Sequence, residues 1–162
     1  PQSSDVDMVV RIGGEKLPLD TRAVYNELLQ CTSRSKGLRL LHIYALGGDK
    51  LEVIFEVKNS QYPKYKKTWR LKGDIFCAAP SEYIFTLLYA TGSGNFNVYM
   101  RALAKRQGYL LNQRGLFDRD TGEKIPVRNE RDVFKIIAMD YIPPVERVKR
   151  DWFAKPTKTV KN

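Results

Sequence analysis

Cysteine and histidine are scarce in this chain of 162 residues, with two of the first and one of the second. Cys31 and Cys77 sit in no CxxC or Cys/His cluster, which argues against a zinc site and against a disulfide framework. A lone His42 weakens any nucleophile–histidine triad. Two isolated thiols fit a reducing compartment. No apolar run approaches the length of a membrane span, and no signal-type segment precedes the first strand, so a secreted or membrane-anchored protein is not expected. Acidic residues are also in the minority. Asp and Glu number 18 against 28 Lys and Arg, a formal net charge of +10. Such a balance points to a polyanionic partner, nucleic acid before an anionic membrane surface. A hydrophobic content of 43% still predicts a packed core rather than disorder.

The pattern along the chain predicts an α+β protein. Val6 to Ile12 reads as a strand, with Asp5, Asp7 and Val9 on one face. Asp20-Thr21 predicts a helix cap, followed by a helix to about Cys31 with Val24, Leu28 and Cys31 on its apolar side. Leu38 to Leu46 and Leu51 to Val57 read as strands around the turn Gly47-Gly48-Asp49. In the second of them, Leu51, Val53, Phe55 and Val57 share a face. A loop from Asn59 to Pro63 leads into the basic run Lys64-Tyr65-Lys66-Lys67. Thr68 to Ala79 reads as a strand whose Leu71, Gly73, Ile75 and Cys77 face the core, leaving Arg70, Lys72, Asp74 and Phe76 on the other side. Ser81 is the expected cap of a helix buried through Ile84, Leu87 and Leu88. That helix is expected to stop at Tyr89-Ala90-Thr91-Gly92-Ser93-Gly94. A second helix, about Asn95 to Gln107, should end at Gly108. Short strands at Tyr109–Leu111 and Gly115–Phe117, a turn at Asp120-Thr121-Gly122, and a last helix complete the chain. Asn129 should cap that helix, Val133, Ile136 and Ile137 should be its buried face, and Ile142-Pro143-Pro144 should end it.

Asp5 and Asp7 lie one residue apart on a strand, so they project the same way. Asp74, on a second strand rich in Lys and Arg, is the third candidate carboxylate. Three carboxylates on neighbouring strands can hold two divalent cations for in-line displacement at phosphorus, and magnesium suits oxygen ligands. Taken alone, an Asp-x-Asp pair is as easily a solvated strand end. Thr91-Gly92-Ser93 offers small residues and a helix N-terminus, which favour close approach by an anionic ligand. Asn97, Arg101 and Lys105 recur every four residues and share one helix face. Asn112 and Arg114 lie just beyond, as phosphate or minor-groove contacts. The densest basic-aromatic stretch is Lys64, Lys66, Lys67, Arg70 and Lys72 with Tyr62, Tyr65 and Trp69. Each of these stripes could also be an ordinary solvated face.

In order, these residues resemble the family X DNA polymerases, the group with the beta, lambda, mu and terminal-transferase enzymes. Asp5-Val6-Asp7 is similar to the family's acidic pair, and Lys72-Gly73-Asp74-Ile75 to its basic-x-Asp-aliphatic strand. Leu87-Leu88-Tyr89-Ala90-Thr91-Gly92-Ser93 resembles its best-known turn. Phe96-Asn97, Met100 to Lys105 and Leu111-Asn112 continue the register. Asp132-Val133-Phe134, Tyr141 to Pro144 and Glu146-Arg147 resemble its C-terminal end. The resemblance runs from Ser4 to about Trp152 and is weakest between Ile12 and Thr68.

The resemblance implies a nucleotidyltransferase-type palm over residues 1–94, with a mixed or antiparallel sheet and helices on one face. A small α/β, thumb-like nucleotide-selecting subdomain would follow over 95–153, then a basic tail over 154–162. It implies that Asp5 and Asp7 bind two magnesium ions, for which manganese could substitute, and that Asp74 binds the catalytic ion and helps activate the primer 3′-hydroxyl. Lys72 would meet the primer-terminal phosphate. Ser4, Tyr89, Ala90, Thr91, Gly92 and Ser93 would line the nucleotide, and Asn97 would reach its base. Arg101 and Lys105 would meet the template strand, and Asn112 and Arg114 its backbone. The chain departs from the family at Ala90, where an aromatic residue is common, and at Gly73, where a branched aliphatic is. Phe76 stands where some members carry arginine, and Gly94 removes a side chain that could touch the base.

The implied function is magnesium-dependent transfer of a deoxynucleotide from a dNTP to a primer 3′-hydroxyl in gap-filling repair, within base excision repair or end joining. The partners would be primer-template or gapped DNA, with repair scaffold or ligase proteins, in the nucleus or another DNA-containing compartment. Asp5 stands so near Pro1 that the chain is expected to be a fragment of weak or no activity, with lyase and fingers regions upstream. The alternative is an inactive DNA-binding scaffold that keeps the fold. A transferase acting on RNA or another hydroxyl is a third reading.

Overall fold

The computed structural model describes residues 5–13, 20–58, 68–149 and 151–153. Ser4, the basic run at 64–67 and the tail at 154–162 lie outside the described residues. The chain divides into two compact units, residues 1–86 and 87–162.

In the first unit, β1 (Asp5–Arg11), β2 (Leu38–Leu46), β3 (Lys50–Lys58) and β4 (Thr68–Ala78) form one sheet in the order β1-β4-β3-β2. β1 runs parallel to β4, and the other two pairings are antiparallel. This is the mixed sheet of the α+β expectation. Alternation decides its faces. Leu51, Val53 and Phe55 of β3 and Ile75 and Cys77 of β4 are buried together. Against that face pack Val24, Tyr25 and Leu28 of α1 (Thr21–Arg34). Asp20 caps α1 by accepting from the Ala23 amide at 2.9 Å. Thr21 Oγ1 donates to the Gly47 carbonyl at 2.7 Å, tying the helix start to the β2–β3 turn. The helix runs three residues past the expected Cys31, whose thiol is exposed rather than packed, because Val24, Tyr25 and Leu28 already cover the core face.

Helix α2 (Tyr83–Thr91) starts later than expected. The Ala79 carbonyl accepts from both Glu82 and Tyr83, each at 2.9 Å, so Ser81 lies in a turn before the helix. The buried side chains of α2 are Phe85, Thr86 and Leu88, whereas Leu87 is exposed and Ile84 half-buried. The expected stripe was displaced toward the bulkier aromatic, which removes more apolar area from water.

In the second unit, α3 (Gly94–Arg106) is capped by Ser93, whose hydroxyl accepts from the Phe96 amide. Phe96, Met100 and Ala104 are its buried residues, four apart. Gly108, at φ 83°, ends it in the left-handed region. β5 (Tyr109–Asn112) and β6 (Gly115–Asp118) form a hairpin. Asn112 Oδ1 closes it by accepting from the amides of Arg114 and Gly115 at 2.8 and 3.1 Å. A second turn at Asp120-Thr121-Gly122 brings Lys124 back against Phe117.

Asn129 caps α4 (Glu130–Ile136), accepting from the Asp132 amide at 3.1 Å. Its buried face is Val133, Phe134 and Ile137, with Ile136 only half-buried. The helix stops well before the prolines. Ala138 adopts φ 55°, Met139 N–H donates to the Phe134 carbonyl, and Ala138 N–H to that of Lys135. This is a Schellman ending with alanine in the usual glycine position. Pro143 instead stands just before α5 (Pro144–Arg147), with no capping side-chain hydrogen bond.

Candidate functional site

Each unit carries its own set of candidate residues. In the first, strand register places the carboxylates. The partner of Asp74 on β1 is Asp7, and its partner on β3 is Glu52. Side chains paired across strands share a face, so Asp7, Asp74 and Glu52 form one row over three strands. Asp5 is paired with Lys72 in the adjacent row. This row faces away from α1 and the apolar core. The structure thus brings Asp5, Asp7, Asp74 and Lys72 to one face, and adds Glu52 and Lys50, which the sequence reading passed over. Their signal was the second face of the β3 alternation, read then only for its apolar side.

Two ammonium groups bridge the carboxylates. Lys50 Nζ lies 2.9 Å from Asp74 Oδ2 and 2.8 Å from Glu52 Oε1. Lys72 Nζ lies 3.3 Å from Asp74 Oδ1 and 3.8 Å from Glu52 Oε2. The Asp74 side chain is only 16% exposed. Its partial burial favours the neutral acid, but the hydrogen bond from Lys50 and the ammonium charges of Lys50 and Lys72 outweigh this and hold its pKa below the usual value. Asp7 goes the other way. Burial first, then the charges of Asp74 and Asp5, raise its pKa, against the weaker pull of Lys50 and Lys72.

Two observations fit a cation here. Asp74 Oδ1 is buried without an aligned hydrogen-bond donor, Lys72 standing at ion-pair distance only. Asp7 and Asp74 also face each other as like charges on adjacent strands, an arrangement that costs energy unless a cation intervenes. Among the described residues no group of three or more His, Cys, Asp and Glu is placed so that together they could hold a metal ion. Magnesium does not need such a group. It commonly takes one or two carboxylates and completes its shell with water and substrate phosphate.

In the second unit, the end of α2 and the start of α3 gather the nucleotide candidates. Only Gly92 and Ser93 separate the two helices, so Tyr89, Ala90 and Thr91 belong to the last turn of α2 rather than to a loop. The helix continues because Thr91 Oγ1 folds back to the Leu87 carbonyl at 2.7 Å. Gly92, at φ 63°, makes the break that a side chain would resist. Asn97 Nδ2 donates to the Tyr89 carbonyl at 2.8 Å, and the Arg101 guanidinium lies 5.5 Å from the Tyr89 ring centre. Tyr89, Asn97 and Arg101 therefore form one contiguous patch.

Beside it, Arg101, Lys105, Asn112 and Arg119 line an open groove of about 460 Å³, floored by Ala102, Tyr109, Leu110 and Leu111. Arg114 is at the hairpin tip, outside that lining. Arg119, missed in the sequence, enters because its amide donates to the Gly108 carbonyl at 3.0 Å. Asn112 contributes to the groove while its oxygen serves the hairpin turn.

The model of the DNA polymerase beta thumb matches residues 86–148, a span that begins within a residue of the second compact unit. DNA polymerase lambda of Rattus norvegicus is 34% identical over 119 residues, covering 62% of this chain and 20% of the rat protein. The chain is similar to the family X DNA polymerases. Repair DNA polymerase X of African swine fever virus is 32% identical over 83 residues, 51% of this chain and 47% of the viral protein. In three dimensions, polymerase beta of Leishmania infantum, solved as a ternary primer-template complex, matches with a TM-score of 0.71 and 26% identity. That match covers 90% of this chain and 62% of the other. The chain therefore spans less than two thirds of each of these relatives. All three are polymerases by name, and the viral one is a repair DNA polymerase. No helix among the described residues is long and apolar enough to cross a membrane.

Proposed function

We propose that this chain supplies the palm and thumb-like parts of a magnesium-dependent DNA polymerase that extends a primer 3′-hydroxyl by one deoxynucleotide at a time in gap-filling repair. The observation that carries the reading is the register Asp7–Asp74 across β1 and β4, with Lys72 on the same face. Asp5, Asp7 and Asp74 are the residues that would hold magnesium. Bound there, the metal would lower the pKa of the attacking hydroxyl and neutralise the triphosphate.

The chain's own groups do the rest. Asp74, kept ionised by its two lysines, stands ready to accept the proton of the primer hydroxyl. Lys72 is the cation for the primer-terminal phosphate. Tyr89, Ala90, Thr91, Gly92 and Ser93 line the sugar, and the small residues let it approach the backbone. Asn97 and Arg101, positioned by Tyr89, read the base and the template strand. Lys105, Asn112, Arg114 and Arg119 hold the template backbone. Partners are DNA, a dNTP and other repair proteins, in a DNA-containing compartment such as the nucleus.

The test measures primer extension by a protein that carries this chain. Asp74→Ala should abolish magnesium-dependent primer extension while leaving DNA binding in place. Extension that survives the substitution sinks the assignment of the site. The isolated chain should extend primers weakly or not at all.

A further inference from the structure

We propose that Lys50 is the resident counter-cation of the carboxylate row, and that its transfer from Asp74 onto Glu52 sets the affinity of the row for a divalent cation. This inference rests on the reading of Asp7 and Asp74 as cation ligands.

Glu52 and Asp74 are direct cross-strand partners, so their charges repel unless something lies between them. Lys50 lies there, bonded to both at 2.8 and 2.9 Å. Its far flank rests 5.3 Å from the centre of the Phe76 ring, whose face also favours a cation. The ammonium is therefore held on three sides, and its pKa is raised. Partial desolvation, which lowers it, is outweighed by hydrogen bonds to Glu52 and Asp74.

A magnesium ion held by Asp74 would bind a carboxylate oxygen directly. Lys50 already occupies the neighbourhood of Oδ2, and two cations at one oxygen repel. Whether it takes Oδ2 or the open Oδ1, the cation meets the Lys50 charge across a single carboxyl group, and a shift of Lys50 onto Glu52 relieves that repulsion. Glu52 gives Lys50 a second acceptor only one bond away, so withdrawal does not strand a half-buried ammonium. Lys72 is placed differently. It stands 3.3 Å from Oδ1 and lacks the alignment of a hydrogen bond, so that oxygen is the one left open. Glu52 is a positioning residue in this scheme, acting on the metal site through Lys50.

The experiment measures Mn²⁺ binding to the chain directly, by the loss of the free-ion EPR signal, without DNA or nucleotide. Lys50→Met should tighten binding roughly tenfold, the low end for a charge-assisted hydrogen bond. Lys58→Met, which removes an equal charge from the far end of β3, should leave it unchanged. Glu52→Gln should weaken binding in the parent chain and have no effect in the Lys50→Met background. Unchanged affinity in Lys50→Met, or an equal gain in Lys58→Met, overturns the proposal. Binding that persists in Asp74→Asn, or is absent from every variant, overturns the reading of the row itself and the proposal with it. Should Lys50→Met fail to fold by circular dichroism, the unsubstituted protein decides. The ¹⁵N resonance of the Lys50 ammonium should shift to saturation as Mg²⁺ is added, and a resonance that does not move rejects the exchange.

Discussion

Arg147 and Glu130 form a two-pronged ion pair in the second unit, Nη1 on Oε1 and Nη2 on Oε2, each at 2.9 Å. The arginine is fully buried, its Nε donates to the Ile142 carbonyl, and the rings of Phe96, Phe134 and Tyr141 surround its guanidinium. Its own carbonyl accepts from Trp152 Nε1 at 2.7 Å and from the Ser93 hydroxyl at 3.4 Å. One residue thus joins the cap of α3, the start of α4 and the last described turn. Glu130→Ala should cost about 3–5 kcal/mol in urea denaturation, because it leaves a buried charge unpaired. Replacing both partners together with Leu and Met should cost much less, since the desolvation penalty goes with the pair.

Gly73 explains a departure from the family pattern. A Cβ there would lie 2.7 Å from Phe55 Cε2 and 3.1 Å from Val53 Cγ2. The Phe55 ring fills the space that a branched residue at 73 would take. Gly73→Val should destabilise the sheet by about 1–3 kcal/mol through overpacking. Phe55→Leu in the same chain should recover part of the loss, read as a rise in Tm over the single variant.

Ala138 is a non-glycine residue with φ 55° at the end of α4. Ala138→Gly should raise stability by about 0.5–1 kcal/mol, since relief of the left-handed strain exceeds the entropy cost of glycine. A Tm unchanged or lowered by this substitution contradicts the strain argument.

Asp7 is expected to trade stability for function. Burial and the neighbouring Asp74 and Asp5 raise its pKa above 3.8, so its ionised form is disfavoured in the folded state. At neutral pH that is a cost, and it fades as pH falls through the raised pKa and the residue protonates. Asp74, with its pKa depressed, contributes in the opposite sense, and that stability is lost as pH falls through its folded pKa. Asp7→Asn should therefore stabilise the chain at pH 7 by less than about 1 kcal/mol, water screening the rest. The gain should shrink toward pH 4, measured by thermal denaturation across that range.

Arg119 should behave as a phosphate contact. Arg119→Ala should weaken duplex binding about equally for unrelated sequences. The slope of log affinity against log salt should fall by about 0.9 for one lost phosphate contact. Fluorescence anisotropy at several salt concentrations gives both quantities, and an unchanged slope removes Arg119 from the interface.

Much of the fold was legible because its signals are local. The Leu51–Val53–Phe55 and Ile75–Cys77 alternations mark the buried face of the sheet, and Asp20, Ser93 and Asn129 mark helix starts through their own side chains. Errors fell where two local readings competed and packing chose between them. Cys31 has helical spacing but no core left to cover, Leu87 lost its place to Phe85, and α4 ended at Ala138 although the prolines farther on offered a louder stop.

The site divides in the same way. The acidic pair, the basic strand around Asp74, the Gly92-Ser93 break and the Asn97–Arg101 spacing are properties of short segments, and the amino-acid order alone determined them. Which residues meet is a property of register. Asp7 faces Asp74 because β1 runs parallel to β4, and Glu52 faces Asp74 because β3 runs antiparallel to it. A slip of one residue would have turned either carboxylate to the other face. Only the tertiary structure could decide that Lys50 lies between Glu52 and Asp74, because that contact depends on the register of β3 against β4.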